Sequence, residues 1–197
     1  MTRSFVGRAG HKLDHAIEAF GLELSGSVCA DFGCHTGGFT DCLLQRGASR
    51  VYAIDTAYGI LDYTLRIDER VVVMERSNAM HAEPPPDGPV DLVSLDVGWT
   101  PQQKALPNAL RWLKPDGVIL SLIKPHYEAK AMKRDELLHN GILVPEDAER
   151  VRDEVLSMVP ELGVRCDGCV TSPLLGGKTR GNKTGNVEFV ALLRRDD

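Results

Sequence analysis

A short apolar run ends in Asp31-Phe32-Gly33-Cys34-His35-Thr36-Gly37-Gly38-Phe39, and this stretch decides the fold. Glycines here let the backbone turn sharply and let a ligand approach without a Cβ in the way. The loop has neither the GK[ST] of a phosphate-binding P-loop nor the GxGxxG of a dinucleotide-binding turn. An acid at Asp31 would repel a pyrophosphate but attract a ligand amine or sulfonium. The stretch therefore predicts a strand over residues 27–32, a ligand-binding turn, and a helix over residues 38–46 that Gly47 closes.

Strands and helices alternate outward from this turn. A first helix over residues 8–20 has Leu13, Ala16, Ile17 and Phe20 on one face. The other predicted strands cover residues 51–55, 71–74, 90–96, 118–123, 164–171 and 187–193, and the other helices cover residues 101–113 and 145–159. Alternation of this kind gives right-handed crossovers and a mostly parallel sheet with helices on both faces. We therefore predict an α/β fold in one domain, residues 1–197, whose N-terminal helical segment, residues 1–25, carries Lys12.

Such sheets bind ligands beyond the carboxyl ends of their strands. Asp55 ends the second strand, 24 residues after Asp31, where a carboxylate can accept hydrogen bonds from both hydroxyls of a ribose. Together with the glycine turn, this acid indicates a nucleoside-binding site, the alternative being a turn with a structural role alone. S-adenosylmethionine (SAM) fits better than NAD, because its amino-acid tail is zwitterionic and carries no phosphate.

Four charged residues come from separate segments. Asp96 ends the fourth strand and Lys124 follows the fifth, while Lys12 lies on the first helix and Glu188 begins the last strand. Singly, each is compatible with an ordinary surface charge. As a set they suit methyl transfer to a hydroxyl group, a poor nucleophile that needs its lone pair aimed and its proton polarised.

Composition excludes several classes of protein. The chain is 43% hydrophobic and 26% charged, which is typical of a globular domain. It has no apolar stretch of membrane-spanning length and no signal peptide, so we expect a cytoplasmic protein without a membrane partner. The pair Cys166 and Cys169 lacks a second pair, and His11 and His15 lack a third ligand, so no metal site is predicted.

The net charge of the chain is −5, and this overall charge does not indicate nucleic-acid binding. Basic residues nevertheless cluster in three places, and each cluster is compatible either with a solvated surface or with an RNA-binding track. The clusters are Arg3, Arg8 and Lys12; Lys124, Lys130, Lys133 and Arg134; and Lys178, Arg180 and Lys183.

Seven segments carry a specific resemblance that covers almost the whole chain: RAGHKL (8–13), TGGFTDCLLQRGA (36–48), VYAID (51–55), YG (58–59), ERSNA (75–79), KPHYE (124–128) and GNVEF (185–189). In these segments the chain resembles the FtsJ-like ribosomal RNA 2′-O-methyltransferases, most closely the catalytic domain of their TlyA (hemolysin-like) group. The resemblance implies a seven-stranded Rossmann-like sheet with an antiparallel last strand, SAM as cofactor, RNA (ribosomal) as partner, and Lys12, Asp96, Lys124 and Glu188 as a catalytic tetrad.

The resemblance and the residues themselves together predict two sets of binding residues. We assign the SAM site to Asp31, Gly33, Cys34, His35, Gly37, Gly38, Phe39, Asp55, Asn78 and Asp96. We assign RNA contacts to Arg8, Trp99, Lys130, Lys178 and Arg180. Trp99 could stack on a flipped base or pack into the crevice wall.

Full-length members of the family carry an S4-type RNA-binding domain before the RAGxKL segment, and this chain starts almost at that segment. Three explanations stay open: a natural stand-alone form, a piece of a longer protein, or RNA affinity that comes from elsewhere, including a partner. Two other functions stay open: methyl transfer to a small hydroxylated molecule or nucleoside, and a non-catalytic role in SAM or RNA binding.

Overall fold

The computed structural model describes residues 3–177 and 185–196, in which one seven-stranded sheet has the order β3-β2-β1-β4-β5-β7-β6. The strands are β1 Val28–Phe32, β2 Arg50–Ile54, β3 Val71–Met74, β4 Val90–Leu95, β5 Leu113–Ile123, β6 Val164–Thr171 and β7 Phe189–Arg195. Neighbours from β3 to β5 pair in parallel, and β7 is antiparallel to both β5 and β6. The predicted α/β fold, with its antiparallel last strand, is confirmed.

Helices cover both faces of the sheet. They are α1 Gly10–Ala19, α2 Gly38–Gln45, α3 Tyr63–Arg66, α4 Gln102–Trp112, α5 Pro125–Ala131 and α6 Pro145–Met158, with 3₁₀ turns at Asp135–Leu137 and Val159–Leu162. On one face, Leu13 and Ile17 of α1 pack with Leu43 of α2 in one apolar core. On the other face, Trp112 of α4 and Val151 of α6 belong to a second core. The sheet is thus the middle layer of three.

Three elements differ from the sequence-based prediction. Pro125 ends β5, as expected, but it is also the first residue of α5, a position where its missing N–H costs nothing. The short helix α3 was also not predicted. β5 begins at Leu113 rather than Val118, and its register with β4 is irregular between Val90 and Leu92.

The carboxyl ends of the central strands place several chemically active residues at one edge. Gly33 follows β1, Asp96 follows β4 and Lys124 follows β5, and the backbone N–H of Asp96 donates to the Phe32 carbonyl oxygen at 3.0 Å. Because β7 is antiparallel, its first residue pairs with the last residue of β5. Glu188 directly precedes β7 and therefore reaches the same edge as the residues that follow the parallel strands.

No helix within the described residues combines the length and the apolar composition that crossing a membrane requires.

Candidate active site

Two adjoining cavities lie at this edge of the sheet. The larger cavity, of about 690 Å³, is lined by residues from α1, α2 and α5 and by residues that directly precede β7. The smaller cavity, of about 450 Å³, is lined by residues that follow β2, β3 and β4. Five residues line both cavities and mark their boundary: Gly33, His35, Asp96, Trp99 and Lys124. The two cavities therefore form one continuous crevice.

The four charged residues of the predicted tetrad form two ion pairs in this crevice. The Lys12 ammonium contacts the Glu188 carboxylate, and their side chains are only 6% and 3% exposed. Lys124 Nζ lies 2.6 Å from Asp96 Oδ1, and these side chains are 14% and 20% exposed. All four line the larger cavity, although 176 residues separate Lys12 from Glu188 in the chain. The structure thus brings the predicted set together as an inner pair and an outer pair.

The inner and outer pairs differ in what they offer a ligand. Removing one partner of the almost fully buried inner pair would leave an uncompensated buried charge, which typically costs about 3–5 kcal/mol. The outer pair keeps some contact with the crevice, and Lys124 Nζ also lies 3.4 Å from the Val97 carbonyl oxygen. The outer pair is therefore the one better placed to exchange hydrogen bonds with a bound molecule.

The glycine turn shapes the boundary between the cavities. Gly33 has a φ of +88°, and a Cβ there would lie 2.6 Å from the Asp96 backbone oxygen, so no other residue fits. Gly38, Cys34 and Phe39 line the larger cavity, and their contact with a cofactor stays a prediction. Gly37 lines neither cavity, because its Cα faces the side chains of Leu61 and Leu65.

Asp55 is held in place at the smaller cavity. One of its carboxylate oxygens accepts a hydrogen bond from the backbone N–H of His35 and the other from that of Ala57, each at 2.8 Å. Each oxygen keeps a further lone pair, which can accept a hydrogen bond from a ribose hydroxyl. Asn78 lines the same cavity with the apolar side chains of Ile54 and Met80. The arrangement suits a ribose at Asp55 and a flat base beyond it.

Asp31 lies in a different place from the other predicted cofactor residues. It is fully buried and lines neither cavity. Its carboxylate accepts hydrogen bonds from the hydroxyls of Thr40 (2.7 Å) and Ser94 (3.0 Å), so it ties β1 to α2 and β4. Burial raises the pKa of Asp31 to about 7. The structure thus gives this acid a visible role beneath the glycine turn, and its contact with a cofactor stays a prediction.

The raised pKa of Asp31 predicts a stability that depends on pH. The folded state binds this proton more tightly than the unfolded state does, because the pKa of the unfolded carboxyl is near 3.8. The free energy of unfolding should therefore fall as pH rises from about 4 to about 7, by roughly 2–4 kcal/mol from this group. Asp31→Asn should remove this part of the pH dependence. It is measured as the difference between the free energies of unfolding at pH 5 and at pH 8, each taken from a urea unfolding curve. An equal change in the free energy of unfolding between these pH values in the two proteins would contradict the raised pKa of Asp31.

The predicted RNA-contacting residues are only partly described. Arg8, Trp99 and Lys130 line the larger cavity, and an Arg8 Nη donates to the Leu175 carbonyl oxygen at 3.3 Å. Trp99 is 82% exposed, so its ring is not packed into the crevice wall. Lys178 and Arg180 lie outside the described residues.

Sequence reasoning missed several residues that line the larger cavity, and three of them have polar side chains next to the ion pairs: His126, Tyr127 and Asn186. Burial, together with nearby lysines, lowers the pKa of His126 to about 4, so this ring is neutral at pH 7. The Asn186 amide joins two segments, accepting from the Leu143 N–H and donating to the Gly141 carbonyl oxygen, each at 3.0 Å. Their position beside Lys124 or Glu188 in the chain was the signal that could have found them.

Among the residues that the structure describes, no three or more His, Cys, Asp or Glu side chains lie close enough together to hold a metal ion. All five cysteines are free.

The strand order, the antiparallel β7, and a crevice between a glycine turn and an acid at the end of β2 define a Rossmann-like methyltransferase fold. Solved methyltransferase structures share this fold at 16% sequence identity. A family model described as FtsJ-like methyltransferase matches residues 5–171. The chain belongs to the FtsJ-like methyltransferase family.

The relatives include proteins named TlyA, the group that the sequence resemblance indicated. The 16S/23S rRNA (cytidine-2′-O)-methyltransferase TlyA of Mycobacterium tuberculosis is 38% identical over 98% of this chain and 69% of its own length. The Bacillus subtilis protein YqxC is 35% identical over 96% of this chain and 65% of its own length. The structure of a candidate hemolysin from Streptococcus thermophilus has a TM-score of 0.90 at 34% identity, covering 100% of this chain and 69% of that one. The chain thus spans about two thirds of the length of these relatives.

Proposed function

We propose that this protein transfers a methyl group from SAM to a ribose 2′-hydroxyl of ribosomal RNA. The observation that carries the proposal is that the ion pairs Lys12–Glu188 and Lys124–Asp96 line one cavity, which continues into a second cavity suited to a nucleoside. The TlyA protein of M. tuberculosis, named for 2′-O-methylation of cytidine in 16S and 23S rRNA, supports the choice of acceptor.

The residues present fit SAM. When bound, SAM supplies a methyl group carried on a positively charged sulfur. Asp55 binds the ribose hydroxyls, and Asn78 lies among the apolar residues that border the base. The larger cavity takes the amino-acid tail beside Gly38 and Phe39. No Cβ narrows the passage between the cavities at Gly33, where even an alanine would meet the Asp96 backbone.

The outer ion pair positions the acceptor. Asp96 accepts the hydrogen bond of the acceptor hydroxyl, and Lys124 donates a hydrogen bond to its oxygen, which fixes the direction of the remaining lone pair. The inner pair of Lys12 and Glu188 holds a compensated charge behind this point. Because both pairs are mostly buried, such preorganised charges contribute more than they would in bulk water. Positioning and electrostatics thus provide most of the catalysis.

An RNA acceptor accounts for the rim of the crevice. Arg8, Lys130, Tyr127 and the exposed Trp99 line the larger cavity of a protein whose net charge is −5. Local cations bind phosphates whatever the net charge, and an exposed aromatic ring gives an unstacked base a surface to stack on.

The proposal is tested by methyl transfer from radiolabelled SAM to isolated ribosomal subunits, total rRNA and a small-metabolite pool. We expect label in rRNA that survives alkaline hydrolysis within a single dinucleotide, because a 2′-O-methyl group blocks cleavage at that position. Label in the metabolite pool alone would replace RNA by a small hydroxylated acceptor. SAM binding with no transfer to any fraction would favour a non-catalytic role.

Trp99 provides a separate prediction about the acceptor. Base stacking on an aromatic side chain contributes about 1–3 kcal/mol, so Trp99→Ala should raise the KM for RNA by roughly tenfold or more. Trp99→Phe keeps a ring and should stay near wild type. SAM affinity, measured by calorimetry, should be the same in all three proteins. An unchanged KM in Trp99→Ala would show that this ring does not bind the acceptor.

A further inference from the structure

A chain of buried polar groups lies next to the crevice without lining it. Glu128, in the first turn of α5, accepts a hydrogen bond from the backbone N–H of Gln102, the first residue of α4, at 2.9 Å. The Gln102 side chain accepts a hydrogen bond from the Ser121 hydroxyl of β5 and donates one to the Leu122 carbonyl oxygen at 3.4 Å. All of these side chains are buried, and Glu128 lines neither of the two cavities. We call the chain Glu128–Gln102–Ser121 the polar bridge.

Burying the Glu128 carboxyl group destabilises the fold, which a side chain that only packed at this position would not do. No lysine, arginine or histidine in the described residues forms an ion pair with it, and burial raises the pKa of its carboxyl group to about 7. A buried polar group without sufficient hydrogen bonds destabilises the fold, so an apolar side chain would pack here at lower cost. What the carboxyl group adds is the hydrogen bond to the N-terminus of α4, where an acceptor is favourable.

The polar bridge joins the two loops that carry the outer ion pair. The loop after β4 begins with Asp96, includes Trp99 and ends where α4 starts at Gln102. Lys124 directly precedes α5, and its carbonyl oxygen accepts the backbone N–H of Glu128 at 3.2 Å. The bond from Gln102 to Glu128 therefore fixes the end of one loop against the start of the helix that follows the other.

We infer that Glu128 is a positioning residue, which sets the Lys124–Asp96 pair by holding the loop after β4 against α5. This inference rests on the proposed function, in which that pair binds the acceptor hydroxyl. Misplacement of a reacting group by about 1 Å can cost a hundredfold in rate, so a bridge outside the crevice can control turnover.

Glu128→Ala and Glu128→Gln separate positioning from charge. Alanine removes the acceptor for the Gln102 N–H, so turnover should fall by about ten- to a hundredfold. The KM for RNA should rise less than it does in Trp99→Ala, because the ring is still present. Glutamine keeps an acceptor oxygen, so turnover should return close to wild type. The loop itself is visible through Trp99, because the other tryptophan, Trp112, is fully buried. Acrylamide quenching and fluorescence anisotropy should show a more mobile Trp99 in Glu128→Ala alone.

Val155→Ala is the matched control for lost stability. A third cavity, of about 480 Å³, is lined by both Glu128 and Val155. Val155 is buried in α6, but it makes no polar bond to either loop. Its replacement should lower the unfolding midpoint and leave turnover and Trp99 anisotropy unchanged. Wild-type turnover in Glu128→Ala, an equal loss in Val155→Ala, or no rescue in Glu128→Gln would each overturn the inference. If the wild-type protein methylates no RNA, the proposed function fails, and the anisotropy of Trp99 still decides whether the bridge holds the loop.

Discussion

Replacing Lys124 with alanine is expected to reduce methyl transfer by roughly a thousandfold while SAM remains bound. The reason is the place of its ammonium group, which lies 2.6 Å from Asp96 at the boundary of the two cavities. Alanine removes the donor that fixes the acceptor oxygen, whereas the smaller cavity keeps Asp55 and Asn78. Single-turnover transfer to the RNA substrate and calorimetric SAM binding measure the two effects separately.

Lys124 gives a clearer mutational test of catalysis than Lys12, because Lys12 is more deeply buried. The inner pair of Lys12 and Glu188 is almost closed to solvent, so its disruption would destabilise the fold by about 3–5 kcal/mol and lower activity for that reason alone. The outer pair is partly open, and its loss costs less stability.

Lys114 offers a control on the same two strands. Its ammonium pairs with Asp91 at 2.7 Å, so this pair joins β4 and β5 near the starts of these strands, at the end opposite to the crevice. Lys114→Ala removes a similar interstrand ion pair far from the crevice and should retain full turnover. Turnover in Lys124→Ala above about a tenth of wild type would be too high for a group with a direct catalytic role.

The sequence was sufficient for the layered fold because each predicted strand alternated with a helical or turn-rich segment. Strand order was beyond it: residues alone do not say that β7 inserts between β5 and β6, and only the family resemblance supplied an antiparallel last strand. The same limit applies to Glu188. Its charge is unremarkable at residue 188 and becomes part of the crevice only because antiparallel pairing brings the start of β7 beside the end of β5.

Local ambiguity explains the other differences. β1 is buried on both faces, so no alternation in its sequence indicates which way Asp31 points. Pro125 is a reliable end to a strand and an equally good start to a helix, and α5 was missed for that reason. The polar bridge depends on α5, so Glu128 could not be linked to Gln102 before the structure placed both at helix starts.

Gly33→Ala is expected to weaken SAM binding and to reduce methyl transfer by about a hundredfold or more. Two costs act at this position: a φ of +88° that an L side chain rarely adopts, worth about 1–3 kcal/mol, and a Cβ placed 2.6 Å from the Asp96 backbone oxygen. The second cost cannot be relieved by a side-chain movement, because the neighbour is backbone. Asp96 must shift, and with it the outer ion pair and the boundary between the cavities.

Gly88→Ala isolates the first of these costs. Gly88 has a φ of +107°, but nothing lies within 4 Å of a Cβ built there, and it lines neither cavity. Both variants should lower the free energy of unfolding through backbone strain, whereas only Gly33→Ala should bind SAM more weakly. Its turnover should also fall by about a hundredfold or more, because its Cβ displaces Asp96. Calorimetric titration with SAM, beside urea unfolding of each protein, makes the comparison. Equal SAM affinity in the two variants would mean that the turn tolerates a Cβ, and that the crevice owes its shape to other residues than Gly33.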